Sequence, residues 1–144
     1  MAKTQVTTSE LHSPNGVFSQ ATTVAATGRL VFVSGMTARR PDGSIAGVGD
    51  ISEQTRQVCE NVSSAVRAAG GTLADVCRVD VYVRNMEDFA KIHEVRAQYF
   101  SEPLPASTMV EVSKLADPDY LIEISAIAVI APTGGDSMRG VEWT

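Results

Sequence analysis

Two cysteines, two histidines, one tryptophan and no run of basic residues are all that this sequence offers of the side chains that most often announce chemistry. Each scarcity excludes something. Cys59 and Cys77 lack Cys-x-x-Cys spacing and sit among apolar residues, which fits buried small side chains in a reducing compartment better than a disulfide or a metal site. His12 and His93 form no pair and no His/Cys cluster at ligand spacing, so no metal is expected. Gly43, Gly47 and Gly49 do not join a strand to a helix as a P-loop or dinucleotide fingerprint requires, and there is no nucleophile elbow. No bound cofactor is therefore expected. The net charge of −5, without clustered Lys or Arg, argues against nucleic acid as a partner. Met1-Ala2-Lys3-Thr4-Gln5 runs into mixed polar residues, so neither a signal peptide nor a membrane anchor is expected, and the location expected is cytoplasmic.

What is present is apolar patterning. With 144 residues and 44% hydrophobic content the chain can build one core but not two comfortable ones, so a single domain over 1–144 is expected. Residues 17–131 contain no fixed-period repeat and no linker-like stretch. From Pro132 onward the residues are small, polar and aperiodic, so 132–144 reads as a tail, with Trp143 favouring its docking on a neighbour.

The β-branched and aromatic run Leu30-Val31-Phe32-Val33-Ser34-Gly35 predicts a strand, and Thr27-Gly28-Arg29 before it predicts a hairpin turn from an earlier strand at about 22–26. Asp50 or Ser52 can cap a helix whose apolar residues Ile51, Val58, Val62, Ala65, Val66 and Ala69 recur at helical spacing until Gly70-Gly71. Residues 78–84 alternate strictly, with Val79, Val81 and Val83 on one face. Asn85 precedes a second helix through Phe89, Ile92, Val95, Tyr99 and Phe100, which Pro103 and Pro105 end. Strands at about 107–113 and 121–130 follow, parted by an Asp117-Pro118-Asp119 turn. The fold class is α+β, in the order β-β-α-β-α-β-β, with a mixed sheet of at least five strands and two helices on one face.

Two helices can shield one face of such a sheet. Yet the last strand sets Ile122, Ile124, Ala126, Ala128 and Ile130 on one side and Leu121, Ile127 and Val129 on the other, so both sides want burial. A second copy of the same sheet is the economical cover, and self-association is expected.

Glu123 and Ser125 interrupt the second of those apolar rows. Desolvation raises the pKa of a carboxyl without partners, so a half-buried Glu123 could serve as general acid or base; it could equally form a structural ion pair with an Arg. His93, four residues after Phe89, is open to a packing or a catalytic role. Arg39 and Arg40 follow the small pair Ser34-Gly35, where they could fork onto a carboxylate or remain solvated surface charges.

Phe18-Ser19-Gln20, Leu30 to Gly35, Glu53-Gln54-Thr55-Arg56-Gln57, Val79 to Val83 with Met86-Glu87-Asp88-Phe89, Pro105-Ala106, Val110-Glu111-Val112 and Ile122 to Val129, taken in order and spacing, resemble the RidA/YjgF superfamily over about 17–131. The resemblance implies a chorismate-mutase-like fold, a homotrimer with sheets packed together, and ligand pockets in the clefts between subunits. It also implies hydrolysis of enamines and imines to keto acids and ammonia, with Glu123 at the family's Glu position. Ser107 stands where the RidA branch has its Arg, Phe18 where it has an aromatic hydroxyl, and His93 where it has a pocket Asn. Ser34-Gly35-Met36-Thr37-Ala38-Arg39 is similar to the 2-aminomuconate deaminases of aromatic-compound breakdown. On that likeness Glu123 activates water or shuttles the proton, His93 protonates the enamine carbon or orients the substrate, and Arg39 or Arg40 replaces the missing Arg as carboxylate anchor. Ser34, Gly35 and Ser107 then form hydrogen-bonding walls, with Phe18 and Met109 also lining the substrate site. The alternative is a noncatalytic trimer that binds small carboxylates or partner proteins.

Overall fold

The computed structural model describes residues 3–25 and 27–132. Trp143 and the tail from 133 lie outside them. Six strands and two helices run in the order β1 (Lys3–Val6), β2 (Ala21–Val24), β3 (Arg29–Met36), α1 (Ile51–Ala68), β4 (Val76–Val83), α2 (Phe89–Tyr99), β5 (Ala106–Glu111) and β6 (Ile122–Ile130), with single 3-10 turns at Leu73–Asp75 and Met86–Asp88. Asp50 caps α1 by accepting the Glu53 N–H at 3.1 Å, and Asn85 caps the turn leading into α2 by accepting the Glu87 N–H at 3.0 Å.

The main sheet has four strands in the order β3-β6-β4-β5; β4 and β5 are parallel and the other pairs antiparallel. Alternation decides which side is dry. Val79, Val81 and Val83 face the same way as Ile122, Ile124 and Ala126, and this side packs on Val58, Val62 and Val66 of α1 and Ile92 of α2. The two helices thus cover one face, as patterning predicts for an α+β fold.

The expected hairpin between β2 and β3 does not form, and the sheet is narrower than the five strands expected. β2 pairs instead with β1, from Lys3↔Val24 to Val6↔Ala21, as a separate two-stranded ribbon. β1 is a short polar strand without apolar alternation, so no sequence pattern marks it. The ribbon is held by side chains reaching β4 where its pairing with β6 is interrupted: Lys3 Nζ donates to Val76 O at 2.6 Å and Thr22 Oγ1 to Cys77 O at 3.0 Å. Burial pushes the pKa of Lys3 down, Coulombic attraction from Cys77 and Asp75 opposing it.

On the other face, Leu30 opposes Val129 and Phe32 opposes Ile127, yet Leu30 is 64% exposed and Phe32 74% exposed. A neighbouring pair of large apolar side chains is left in water on the very side that β6 patterning marks for burial.

Candidate functional site

Glu123 sits on this second face, cross-strand from Tyr82. The pairing of β3 with β6 is interrupted between Val33 and Met36, and the irregularity carries Gly35 against the Glu123 side chain. A Cβ placed on Gly35 would lie 2.8 Å from the carboxyl carbon of Glu123, so the carboxylate occupies the space that any larger residue at 35 would claim. Ser34 and Gly35 are themselves exposed, and Glu123 is half-buried. Among the described residues Glu123 makes no salt bridge, so the structural ion pair left open by the sequence is not formed there.

The second cluster lies on the helix side, at the β5 edge. Phe89, His93 and Arg96 project from one side of α2 at spacings of four and three, and Ser107 and Met109 from one side of β5 at a spacing of two. Gly16 to Phe18 close the space from above, pinned because Ser19 N donates to Pro105 O at 2.8 Å and Ser19 bridges Ala106 in parallel fashion. Together they bound a cleft of about 120 Å³. His93 stacks on Phe89, with ring centroids 6.0 Å apart and planes inclined by 7°.

Arg96 was not singled out by its sequence context, and it is the most unusual member of the cleft. It is 3% exposed. Its Nη2 donates to Val17 O at 3.3 Å and to Ser107 Oγ at 3.1 Å, while its buried Nε has no partner. No carboxylate pairs with it among the described residues. The nearby Cys59 thiol supplies no counter-charge, because burial pushes its pKa up to about 12. Desolvation in turn pushes the pKa of Arg96 down, though a guanidinium stays charged under any ordinary condition. An unpaired buried cation costs several kcal/mol. Its sequence signal is a charge four residues after Ile92 and seven after Phe89, inside the apolar stripe of α2.

Arg39 and Arg40 stand apart from this cleft. Arg39 Nε donates to Tyr120 OH at 2.6 Å and an Nη donates to Gly43 O; the guanidinium lies over the Tyr120 ring at 5.3 Å and reaches Asp117 at 3.6 Å. Arg40 bonds Ser44 Oγ at 3.2 Å. Of the residues singled out from the sequence, the structure therefore gathers Phe18, His93, Ser107 and Met109 in one cleft and places Ser34, Gly35 and Glu123 on the opposite face of the sheet, with the two arginines engaged in a surface loop.

Among the described residues no group of three His, Cys, Asp or Glu side chains is placed to hold a metal ion, and no helix is long and apolar enough to cross a membrane.

Comparison with known proteins gives this geometry a family. Residues 8–130 match the family model described as Endoribonuclease L-PSP. A RutC family protein of Pyrococcus abyssi is 43% identical over 128 residues, covering 89% of this chain and 98% of its own length. The 3-aminoacrylate deaminase RutC of Acinetobacter baylyi is 38% identical over 99 residues, 69% of this chain and 78% of its own. Among solved structures, YyfB of Yersinia pestis, a protein of unknown function of the conserved Rid family, superposes with a TM-score of 0.83 at 32% identity, covering 90% of this chain and all of its own. The chain belongs to the RidA/YjgF family, whose model and fold it matches over nearly the whole of its described length.

Proposed function

We propose that this protein is a hydrolytic deaminase of small enamine and imine carboxylates, working as a homo-oligomer, a trimer on the family pattern. The observation that carries this reading is the division of the site: a half-buried carboxylate without a basic partner among the described residues lies on one face of the sheet, and a cleft lined by His93, Ser107 and Phe18 on the other. One copy cannot bring them to the same substrate. In the proposed assembly Leu30 and Phe32 are buried against a second copy, and Glu123, Ser34 and Gly35 of one subunit complete another subunit's cleft. The 38% identity to a 3-aminoacrylate deaminase supports the reaction class.

The chemistry needs little. An enamine takes a proton on carbon and becomes an imine; water adds to the imine carbon; the nitrogen, once protonated, leaves as ammonia and a carbonyl remains. Glu123 accepts the proton of the attacking water and returns it to the departing nitrogen, and His93 protonates the enamine carbon or orients the substrate. The substrate proposed is an amino-substituted unsaturated dicarboxylate such as 2-aminomuconate, on the likeness of Ser34 to Arg39 to the 2-aminomuconate deaminases. A net charge of −5 gives nucleic acid little electrostatic attraction.

The test is ammonia release from 2-aminomuconate, 3-aminoacrylate and 2-aminoacrylate, the last generated in place, by wild type and Glu123→Gln. Acceleration on at least one substrate, lost by about a hundredfold or more in the variant, is expected. No acceleration on any of them would leave the noncatalytic carboxylate-binding trimer as the better reading.

A further inference from the structure

A buried cation with no anion to meet it is costly unless something else brings the anion. We infer that Arg96 is the carboxylate anchor of the cleft, presented from α2, and that the carboxylate of the ligand is its missing counter-ion. This rests on the deaminase reading only for the ligand's identity.

Three observations point the same way. Arg96 lines the cleft while being almost wholly withdrawn from solvent. Two of its donors are spent on Val17 O and Ser107 Oγ, which fix the plane of the guanidinium and leave the remaining N–H groups without protein partners among the described residues. The cleft's other side chains supply apolar walls and a histidine but no carboxylate. A volume of about 120 Å³ suits the carboxylate end of a small metabolite, the rest extending toward the mouth. Arg84 also has a buried Nε without a partner, but it is less buried and does not line this cleft. Arg39 already has Tyr120 and Asp117 as partners.

Ser107 then has a definite task. Its hydroxyl accepts from Arg96 and steers the guanidinium, where a second cation at 107 would repel it.

The probes are cis,cis-muconate and pyruvate, neither of which carries an amino group to lose, with their methyl esters as uncharged controls; binding is read by calorimetry on the full-length oligomer. Wild type is expected to bind the acids and discriminate against the esters, and Arg96→Met to lose about tenfold to a hundredfold for the acids alone. Without ligand, Arg96→Met should melt no lower than wild type, since it removes an uncompensated charge. Ser107→Asp supplies an internal counter-ion and should raise the melting temperature while abolishing acid binding. Equal acid binding by wild type and Arg96→Met, a larger loss in the Arg39→Gln/Arg40→Gln double variant than in Arg96→Met, or a Ser107→Asp protein that binds acids like wild type would each overturn the assignment. Acid binding that depends on Arg96 in a protein that releases no ammonia sinks the deaminase reading and keeps the anchor; ammonia release with an unchanged KM in Arg96→Met does the reverse.

Discussion

Gly35 and Glu123 share one volume: the carboxylate of the second lies where a side chain on the first would have to go. The colliding atoms are the far end of a flexible side chain, so Gly35→Ala should be accommodated by rotating Glu123 away and not by moving β3. Stability should change by less than about 1 kcal/mol, a value typical of substitutions that leave the core intact. Ammonia release should nevertheless fall by roughly tenfold or more, because displacing a general base by about 1 Å is expensive. Paired measurements of melting temperature and kcat decide it: a large loss of stability, or full activity, would contradict the geometry.

Phe32 and Leu30 are adjacent to half-buried Ile127 and buried Val129 on a face over which no helix of the described residues lies. If that face meets another copy, Phe32→Lys places a charge in the contact and should shift the sedimenting species to lower mass. Its far-UV circular dichroism should match that of wild type, since Phe32 is already 74% exposed in the single subunit. Activity should fall with the loss of assembly, and recover partly at high protein concentration. Undiminished association in Phe32→Lys would place the interface elsewhere.

Much of this was legible in the sequence, for identifiable reasons. The strict alternation of β4 and the helical spacing in α1 and α2 are periods that burial imposes and that survive in the sequence. The double-sided apolarity of β6 marked an uncovered face, and Leu30 and Phe32 show it uncovered. The first hairpin is not legible because β1 pairs with β2 through backbone, and the ribbon is fixed by the Lys3 and Thr22 side chains, none of which leaves an apolar period. Arg96 carries no such period, because a charge on a helix reads by default as solvated; that it points inward depends on tertiary contacts with β5 and with residues 16–18, the latter arriving from the other end of the chain.

Gln54 is fully buried and spans the gap between α1 and the turn entering β6: its Nε2 donates to Asp119 O at 2.7 Å, and its Oε1 accepts the Leu121 N–H at 2.9 Å. Gln54→Leu keeps the volume and removes both bonds. With each stranded polar group costing ~1–3 kcal/mol, the variant should lose about 2–4 kcal/mol in a urea titration at unchanged m-value. Because this turn also carries Tyr120 and Asp117, two of the partners of Arg39, the same variant should loosen the 37–47 loop, read as faster amide exchange there than in α2. A loss under about 0.5 kcal/mol would mean that neither bond matters.

Cys59, like Cys77 and Tyr99, whose pKa values burial also raises, contributes a fall of stability at alkaline pH. In the folded protein burial holds its pKa at about 12 against an ordinary value of 9.0. Between those two values the folded state keeps a proton that the unfolded chain has lost, so stability falls as pH rises through this window and is fully present below it. The slope from this one group is at most ~1.4 kcal/mol per pH unit. Lys3 acts in the opposite sense: its pKa is lowered on folding, so just below 10.5 the unfolded chain binds more proton than the folded one and stability gains as pH rises. Cys59→Ala should therefore flatten the decline measured by denaturant titrations at pH 8, 9, 10 and 11, although it lowers stability at pH 8 by leaving a small cavity. Lys3→Met should steepen the decline around pH 10. Parallel stability curves for wild type and Cys59→Ala across that range would show that the thiol ionises without cost and is not sealed within α1 as its burial requires.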